Sequence, residues 1–147
     1  MQIRDFRATD RDTFIQLCNM FYSSPAVLHS VEEQNFHATF DAILQRNPAL
    51  EGKLILQEEE IAGYALMSYH WSNEAGGYIV WLEELFLHPD FRGAKLGSRF
   101  LEWFLDYYRK EKGVRLEVTT ENAGAIRLYE RYGFTSLPYG QMQKLFV

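Results

Sequence analysis

The chain has 147 residues, of which 47% are hydrophobic and 24% charged. This is the size and balance of one globular domain over residues 1–147. A formal net charge of −5 argues against a general nucleic-acid binder, which needs basic surface to displace phosphate counterions. Cys18 is the single cysteine and no Cys/His cluster has zinc spacing, so we expect neither an internal disulfide nor a bound metal.

Targeting and membrane signals are not visible in the sequence. Residues 1–10 lack the apolar stretch of a signal peptide, and no run approaches the roughly 20 apolar residues of a membrane span. We therefore expect a cytoplasmic protein that has no membrane partner.

The first part of the chain predicts a strand, two amphipathic helices and then three strands. Phe14, Leu17, Cys18 and Phe21 recur at i, i+3, i+4 and i+7, the apolar face of a helix. This helix ends at 23–25, and a second one stops before Pro48. The strands are predicted at residues 2–7, 53–57, 61–71 and 78–88, with a hairpin loop at 72–77.

The second part alternates helices and strands. A helix has its apolar face from Leu96 to Tyr108, with Gly113 placed as its C-terminal cap. A strand at 115–119 and a helix at 122–132 follow, and the tail predicts a hairpin around Pro138 and Gly140. The order β-α-α-β-β-β-α-β-α-β-β predicts an α+β fold in three α/β/α layers. Its mixed, mostly antiparallel sheet would have about six to seven strands, with helices on both faces.

The most informative segment is RGAKLGS, at 92–98, which joins a strand to the longest helix. A helix start offers unpaired backbone N–H groups and the positive end of the helix dipole, and glycines let an anion approach. Arg92, Lys95 and Arg99 add positive charge. The spacing is neither that of the Walker A motif nor that of the dinucleotide-binding motif. The segment predicts either a phosphate site or a tight turn with solvated basic residues.

Two separated motifs resemble those of the GNAT superfamily of N-acetyltransferases. LEELFLHPDFRGAKLGSRFLEWF, at 82–104, is similar to the family's strand and R/Q-x-x-G-x-G/A loop, which binds the pyrophosphate of acetyl-coenzyme A (acetyl-CoA). ENAGAIRLYERYGF, at 121–134, is similar to its second signature, and the order of strands and helices along the whole chain also matches. The resemblance implies a sheet whose fourth and fifth strands splay apart around the thioester.

The resemblance also implies which residues bind the coenzyme. The backbone of the fourth strand would pair with the pantetheine arm, the loop would cradle the pyrophosphate, and Asn122 would hydrogen-bond the arm. Asn122 has the alternative role of a helix N-cap. The implied set is Leu85, Phe86, Leu87, Arg92, Gly93, Ala94, Lys95, Leu96, Gly97, Ser98 and Asn122. Lys95 departs from the family's glycine, and its Cβ is tolerable if its φ is negative.

Acetyl transfer needs a base for the amine and a proton donor for the departing thiolate. Glu83 and Glu84 are the adjacent carboxylates beside the inferred cleft. Strand alternation sends them to opposite faces unless a bulge intervenes. We prefer Glu84, on the side of Phe86, as the base, and a bulge would reverse this choice in favour of Glu83. Tyr129 matches the family's proposed general acid, although a helical tyrosine can also be a core residue. Cys18, on an apolar helix face, is expected to be buried and inert.

The sequence therefore predicts direct acetyl transfer from acetyl-CoA to a primary amine of a small molecule or peptide, and a homodimer is possible. In this family the acceptor pocket is built by the first two helices and the final hairpin. Tyr22, His29, Glu32, Glu33 and Phe36 fall in this region and suggest a cationic acceptor such as a polyamine, an amino sugar or a lysine-like amine. One alternative is a non-catalytic acyl-CoA-binding sensor or regulatory module. The other is a domain that binds a different nucleotide at the glycine loop.

Overall fold

A computed structural model describes residues 1–25 and 27–146. Five strands and four α-helices follow one another along the chain, with short 3-10 turns at Ala8–Asp10 and Pro89–Phe91. The elements are β1 (Gln2–Asp5), α1 (Arg11–Tyr22), α2 (Glu33–Leu44), β2 (Leu50–Gln57), β3 (Glu60–Ser72), β4 (Gly77–Leu87), α3 (Leu96–Tyr107), β5 (Gly113–Leu116) and α4 (Ala123–Arg131). No helix in these ranges is both long and apolar enough to cross a membrane.

The strands form one sheet in the order β1-β2-β3-β4-β5. The first four are antiparallel neighbours, and β5 pairs with β4 in parallel. The prediction of a mixed, mostly antiparallel sheet is therefore confirmed, although the described residues form five strands rather than six or seven.

Helices cover both faces of the sheet, as the three-layer prediction requires. On one face, α1 and α2 pack Phe14 and Phe40 against Tyr64 of β3, and all three side chains are fully buried. On the other face, α3 packs Phe100 and Phe104 against Val80 of β4. Strands β3 and β4 contribute side chains to the core on both faces, because successive side chains of a strand point to opposite faces.

Two predicted boundaries near β5 are wrong. Helix α3 ends at Tyr107, so Gly113 is not its cap but the first residue of β5. The strand then ends at Leu116 instead of residue 119. The parallel pairing with β4 selects this register, joining Ile79 to Gly113 and Leu82 to Leu116. The alternation of residues along the sequence does not indicate which strand β5 pairs with or where that pairing ends.

The predicted final hairpin is also absent from the described residues. After α4, residues 134–146 run as irregular chain, and Val147 lies outside the described part. Thr135, Ser136, Leu137 and Tyr139 line a groove beside β5, whereas Met142 and Phe146 are 99% and 91% exposed. An isolated hairpin is stable only when it packs against an apolar surface. The side chains of Met142 and Phe146 are exposed and do not pack against one.

The fourth and fifth strands separate where their pairing stops. Strand β5 ends opposite Leu82, while β4 continues to Leu87 with only β3 as its neighbour. The backbone edge of β4 from Glu83 onward is therefore open on the β5 side. This opening positions the candidate site.

Candidate active site

A cavity of about 540 Å³ lies in the opening between β4 and β5. Its walls come from the middle of β4, the residues after β5, the start of α4 and the end of α1. They include Glu83, Glu84 and Tyr129, three residues that sequence analysis placed at the site, together with Asn122. Residues 82–85, 116–122, Phe21, Leu28, Ala125 and Tyr129 line the cavity.

A bulge in β4 brings both glutamates to one face of the sheet. Leu66 of β3 is opposite Glu84 and Met67 is opposite Leu82, so Glu83 has no partner on β3. An extra residue shifts the alternation by one place. The expectation that Glu83 and Glu84 point to opposite faces is therefore wrong, and both lie on the face covered by α1.

Glu84 is held by two tyrosine hydroxyls. Tyr64 donates a hydrogen bond to Oε1 at 2.7 Å, and Tyr22 donates one to Oε2 at 2.7 Å. Burial raises the pKa of Glu84 above its ordinary value, the two hydroxyls oppose that rise, and the nearby Glu83 charge adds to it. Glu84 shares its face with Phe86, as predicted. The arrangement suits a base, because its pKa is moved toward neutrality while its orientation is fixed.

Glu83 has a more open environment than Glu84. Its Oε1 accepts a hydrogen bond from Ser68, and His70 Nε2 lies 3.7 Å from the same oxygen. Its side chain is 43% exposed. Glu117 and Glu121 also line the cavity, and none of its described lining residues is basic. The cavity is therefore acidic, which favours a positively charged ligand.

Tyr129 projects from α4 into the same cavity. Its ring packs against Phe134 at 5.8 Å between centroids, and no described residue accepts a hydrogen bond from its hydroxyl. Burial raises the pKa of Tyr129, so the hydroxyl keeps its proton at neutral pH. A protonated hydroxyl without a protein partner can donate to a ligand atom in the cavity.

The loop before α3 takes two left-handed conformations. Gly93 has a φ of +90° and Lys95, at the N-cap, has a φ of +56°. The negative φ under which a Cβ at Lys95 would be tolerable is therefore not observed, because the chain turns sharply to enter α3. A non-glycine residue in this conformation costs about 1 kcal/mol.

The start of α3 has the features of an anion-binding site. Leu96 is buried and anchors the helix, no described side chain caps it, and its first turn contains no acidic residue. Arg92, Lys95 and Arg99 are exposed, and none forms an ion pair with a described residue. The free N–H groups and this positive charge are complementary to a phosphate.

The other predicted coenzyme contacts are the backbone edge of β4 and the side chain of Asn122. The outer backbone edge at Leu85–Leu87 is unpaired on the β5 side, while Phe86 packs into the α1/α2 layer. Asn122 caps α4, because its side chain accepts a hydrogen bond from the Ala125 N–H at 3.3 Å. It also lines the cavity, so capping and ligand contact are compatible.

Some residues named for the acceptor side lie elsewhere. Glu33 contacts Asn19 and His37, and Glu32 contacts Gln34; neither they nor His29 lines the cavity. The acidic character comes instead from β4 and the segment after β5. Sequence analysis missed Tyr64, Glu117 and Glu121, because strand pairing and the opening bring them to the site.

Cys18 is a free cysteine on α1. Cys18 is buried beside Tyr64, and burial raises the pKa of its thiol to about 12. Its burial is as expected, and a thiol with this pKa stays protonated at neutral pH. Within residues 1–25 and 27–146, no group of three or more His, Cys, Asp or Glu side chains could hold a metal ion.

Comparison with known proteins agrees with this architecture. Residues 14–134 match the acetyltransferase (GNAT) family. The chain is 99% covered by the structure of a possible acetyltransferase from Clostridium difficile 630, with a TM-score of 0.83, 17% identity and 97% of that chain covered. At this identity the likeness concerns the fold.

Two curated relatives match part of the sequence. An uncharacterized N-acetyltransferase of Methanocaldococcus jannaschii is 35% identical over 75 residues, covering 49% of this chain and 33% of the relative. The spermine/spermidine N(1)-acetyltransferase of Bacillus subtilis is 31% identical over 84 residues, covering 52% of this chain and 54% of the relative. The match thus spans a third to about half of these relatives.

The splayed strands, the glycine loop before α3 and the family match define an N-acetyltransferase fold. The chain belongs to the acetyltransferase (GNAT) family.

Proposed function

We propose that the protein transfers an acetyl group from acetyl-CoA to a primary amine of a cationic small molecule, with polyamines as the favoured class. The observation that carries the proposal is the shared cavity. Glu84 and Tyr129 both line it, and its other walls are acidic. The uncapped start of α3 lies near the opening, because a Cβ on Gly97 would be 3.5 Å from Leu128 of α4 and 3.9 Å from Leu87 of β4. This arrangement supports a proton acceptor, a proton donor and a phosphate site close to one another.

The described residues fit acetyl-CoA, which supplies the acetyl group as a thioester. The pyrophosphate would be held by the backbone of residues 92–98, with Arg92 and Lys95 adding charge. The pantetheine arm would pair with the free edge of β4 at Leu85–Leu87, where β5 no longer pairs. Asn122 would contact the arm from the other side of the opening.

The cavity residues divide the proton transfers between them. Glu84 would accept a proton from the ammonium form of the acceptor, directly or through water. Tyr129 would donate its hydroxyl proton toward the departing sulfur. A backbone N–H on the open edge of β4 would stabilise the negative charge that develops on the carbonyl oxygen. No residue of the chain needs to carry the acetyl group covalently.

The charge of the cavity favours a cationic acceptor. Glu83, Glu117 and Glu121 line it together with Glu84, and no described lining residue is basic. An acidic cleft raises the local concentration of cations. The similarity to the spermine/spermidine N(1)-acetyltransferase of Bacillus subtilis supports polyamines as the class to test first.

We expect acetylation to depend on acceptor charge. Spermidine and spermine should give much higher kcat/KM than a neutral primary amine, and the KM for spermidine should rise with ionic strength because salt screens the attraction. Thiol release from acetyl-CoA, with the product mass as a check, measures both. An equal or higher kcat/KM for glucosamine or a peptide amine would contradict the polyamine class.

The non-catalytic alternative makes a different prediction. An acyl-CoA sensor needs the loop and Asn122 but neither Glu84 nor Tyr129. It would be stabilised thermally by acetyl-CoA, by about 2.7 kcal/mol at 100-fold over Kd, without releasing thiol in the presence of any amine. A domain for another nucleotide would instead be stabilised by ATP or NAD and not by acetyl-CoA.

Gly97 gives a test of the coenzyme site that separates binding from folding. A Cβ at Gly97 would be 3.5 Å from Leu128, an ordinary contact, so protein packing does not require glycine there. Gly97→Ala should leave stability unchanged or raise it by up to about 1 kcal/mol. It should weaken acetyl-CoA binding at least tenfold, because the methyl group occupies space beside the helix start. Calorimetric titration measures the affinity.

Gly124→Ala is the matched control for this substitution. Gly124 is the second residue of α4, as Gly97 is of α3, and its Cβ would meet nothing within 4 Å. Gly124 is not among the cavity-lining residues, so its variant should bind acetyl-CoA like the wild type. Equal affinities for wild type and Gly97→Ala would contradict the close approach of the pyrophosphate.

A further inference from the structure

Building on the proposed function, we propose that Tyr22 and Tyr64 are positioning residues for Glu84. Their hydroxyls hold its carboxylate in one orientation and keep it ionised in the buried wall of the cavity. Neither tyrosine needs to touch the substrate. They act through the carboxylate that does.

The geometry assigns one tyrosine to each oxygen of Glu84. Tyr64 donates to Oε1 and Tyr22 donates to Oε2, both at 2.7 Å. The two donors come from different elements, β3 and the last residue of α1. Rotation of the carboxylate would break both bonds at once, so its plane is fixed. Each oxygen retains a second lone pair, which leaves capacity to accept a proton.

The charged groups around Glu84 explain why two donors are needed. From α1 it faces Cys18 and Tyr22, from β3 it faces Tyr64, and from β4 it faces Glu83. No described basic side chain forms an ion pair with it. Burial and the neighbouring Glu83 charge both raise the pKa of Glu84, and the two tyrosine hydrogen bonds lower it. The two tyrosines therefore stabilise the ionised form of Glu84 against burial and the Glu83 charge, a role that no described basic side chain fills through an ion pair.

The rings of both tyrosines are held independently of their hydroxyls. Tyr22 packs on Phe36 at 5.2 Å and on Phe21 at 5.0 Å between ring centroids. Tyr64 packs edge-on to Phe14 at 5.2 Å. Substitution by phenylalanine therefore keeps the ring packing and removes the hydrogen bond to Glu84, together with the interaction with the Cys18 thiol in the case of Tyr64.

The sign of the expected pH effect follows from these contacts. The hydroxyl of Tyr22 stabilises the ionised form, so its loss raises the pKa of Glu84 further. The acidic limb of kcat/KM for the acceptor should move to higher pH by about one unit in Tyr22→Phe. Tyr64→Phe should move it in the same direction. Activity should recover toward the wild-type value at high pH, since the base is then ionised again.

Tyr69→Phe is the matched control. Tyr69, also on β3, donates to Glu51 Oε2 at 2.8 Å, on the opposite face of the sheet. Its loss removes the same kind of bond outside the cavity and should leave the acidic limb in place. A uniform loss of activity at every pH in Tyr22→Phe would overturn the positioning role. So would an equal shift of the limb in Tyr69→Phe.

A second readout does not depend on catalysis. NMR titration of the Glu84 carboxyl carbon in the free protein should show a higher pKa in Tyr22→Phe and Tyr64→Phe than in wild type. An unchanged titration in both variants would overturn the inference even if the protein acetylates amines. Conversely, failure of the wild type to acetylate any amine would refute the proposed function. The titration would still test whether Tyr22 and Tyr64 stabilise the ionised carboxylate of Glu84.

Discussion

Glu84→Gln is expected to lower kcat by about 10²- to 10⁴-fold, the usual contribution of a general base. The amide has the same shape as the carboxylate but cannot take the proton of the acceptor amine. The acidic limb of the pH–rate profile should disappear, because the group that titrates there is gone. Steady-state kinetics with a polyamine over a range of pH measure both effects.

Glu83→Gln provides the contrast, one place earlier on the same face. Glu83 is half-exposed and contacts Ser68 and His70. We therefore expect it to attract the acceptor rather than accept its proton. Its loss should raise the KM for polyamines and leave the acidic limb in place. If Glu83→Gln removes the limb and Glu84→Gln does not, the assignment of the base is wrong.

Tyr129→Phe is expected to lower kcat by about 10²-fold, with little change in the affinity for acetyl-CoA. The substitution keeps the ring that packs on Phe134 and removes the hydroxyl that would protonate the departing sulfur. Pre-steady-state thiol release, together with calorimetric titration of acetyl-CoA, separates the chemical step from binding.

Tyr132→Phe is the corresponding control for Tyr129. Its hydroxyl donates to Glu102 at 3.0 Å, and Tyr132 does not line the cavity between β4 and β5. This variant should keep the wild-type kcat. An equal loss of kcat in both variants would indicate a general effect on the end of α4 instead of proton donation.

Local patterns predicted much of the fold. The i, i+3, i+4, i+7 spacing of Phe14, Leu17, Cys18 and Phe21 located α1, and all but Phe21 are buried. The charge and glycines of residues 92–98 located the start of α3. Such signals depend on neighbours in sequence, so they can be read without knowing the partner surface.

Features that depend on pairing between distant segments were not predictable in this way. The bulge at Glu83 exists because β3 and β4 pair in one particular register, which sequence alternation does not define. The same register brings Tyr64 to Glu84 across 20 residues of sequence. The end of β5 at Leu116 is likewise a property of its pairing with β4.

The conformation of Lys95 and that of residues 142–146 could not be predicted, because each depends on surroundings that outweigh the local preference of the residues. Lys95 adopts a positive φ because the loop geometry outweighs the preference of a residue with a Cβ. The apolar residues of 142–146 suggested a strand, yet Met142 and Phe146 remain exposed. Local propensity favours a strand only where a neighbouring surface is available to pair and pack.

A crystal structure of the chain with coenzyme A would show whether the opening between β4 and β5 is the acetyl-transfer site. We expect the pyrophosphate at the N–H groups of 96–98 and the pantetheine arm along Leu85–Leu87. We expect the sulfur in the opening, within hydrogen-bond reach of the Tyr129 hydroxyl. Coenzyme bound in the groove beside the free edge of β5, or a sulfur remote from both Tyr129 and Glu84, would contradict these expectations.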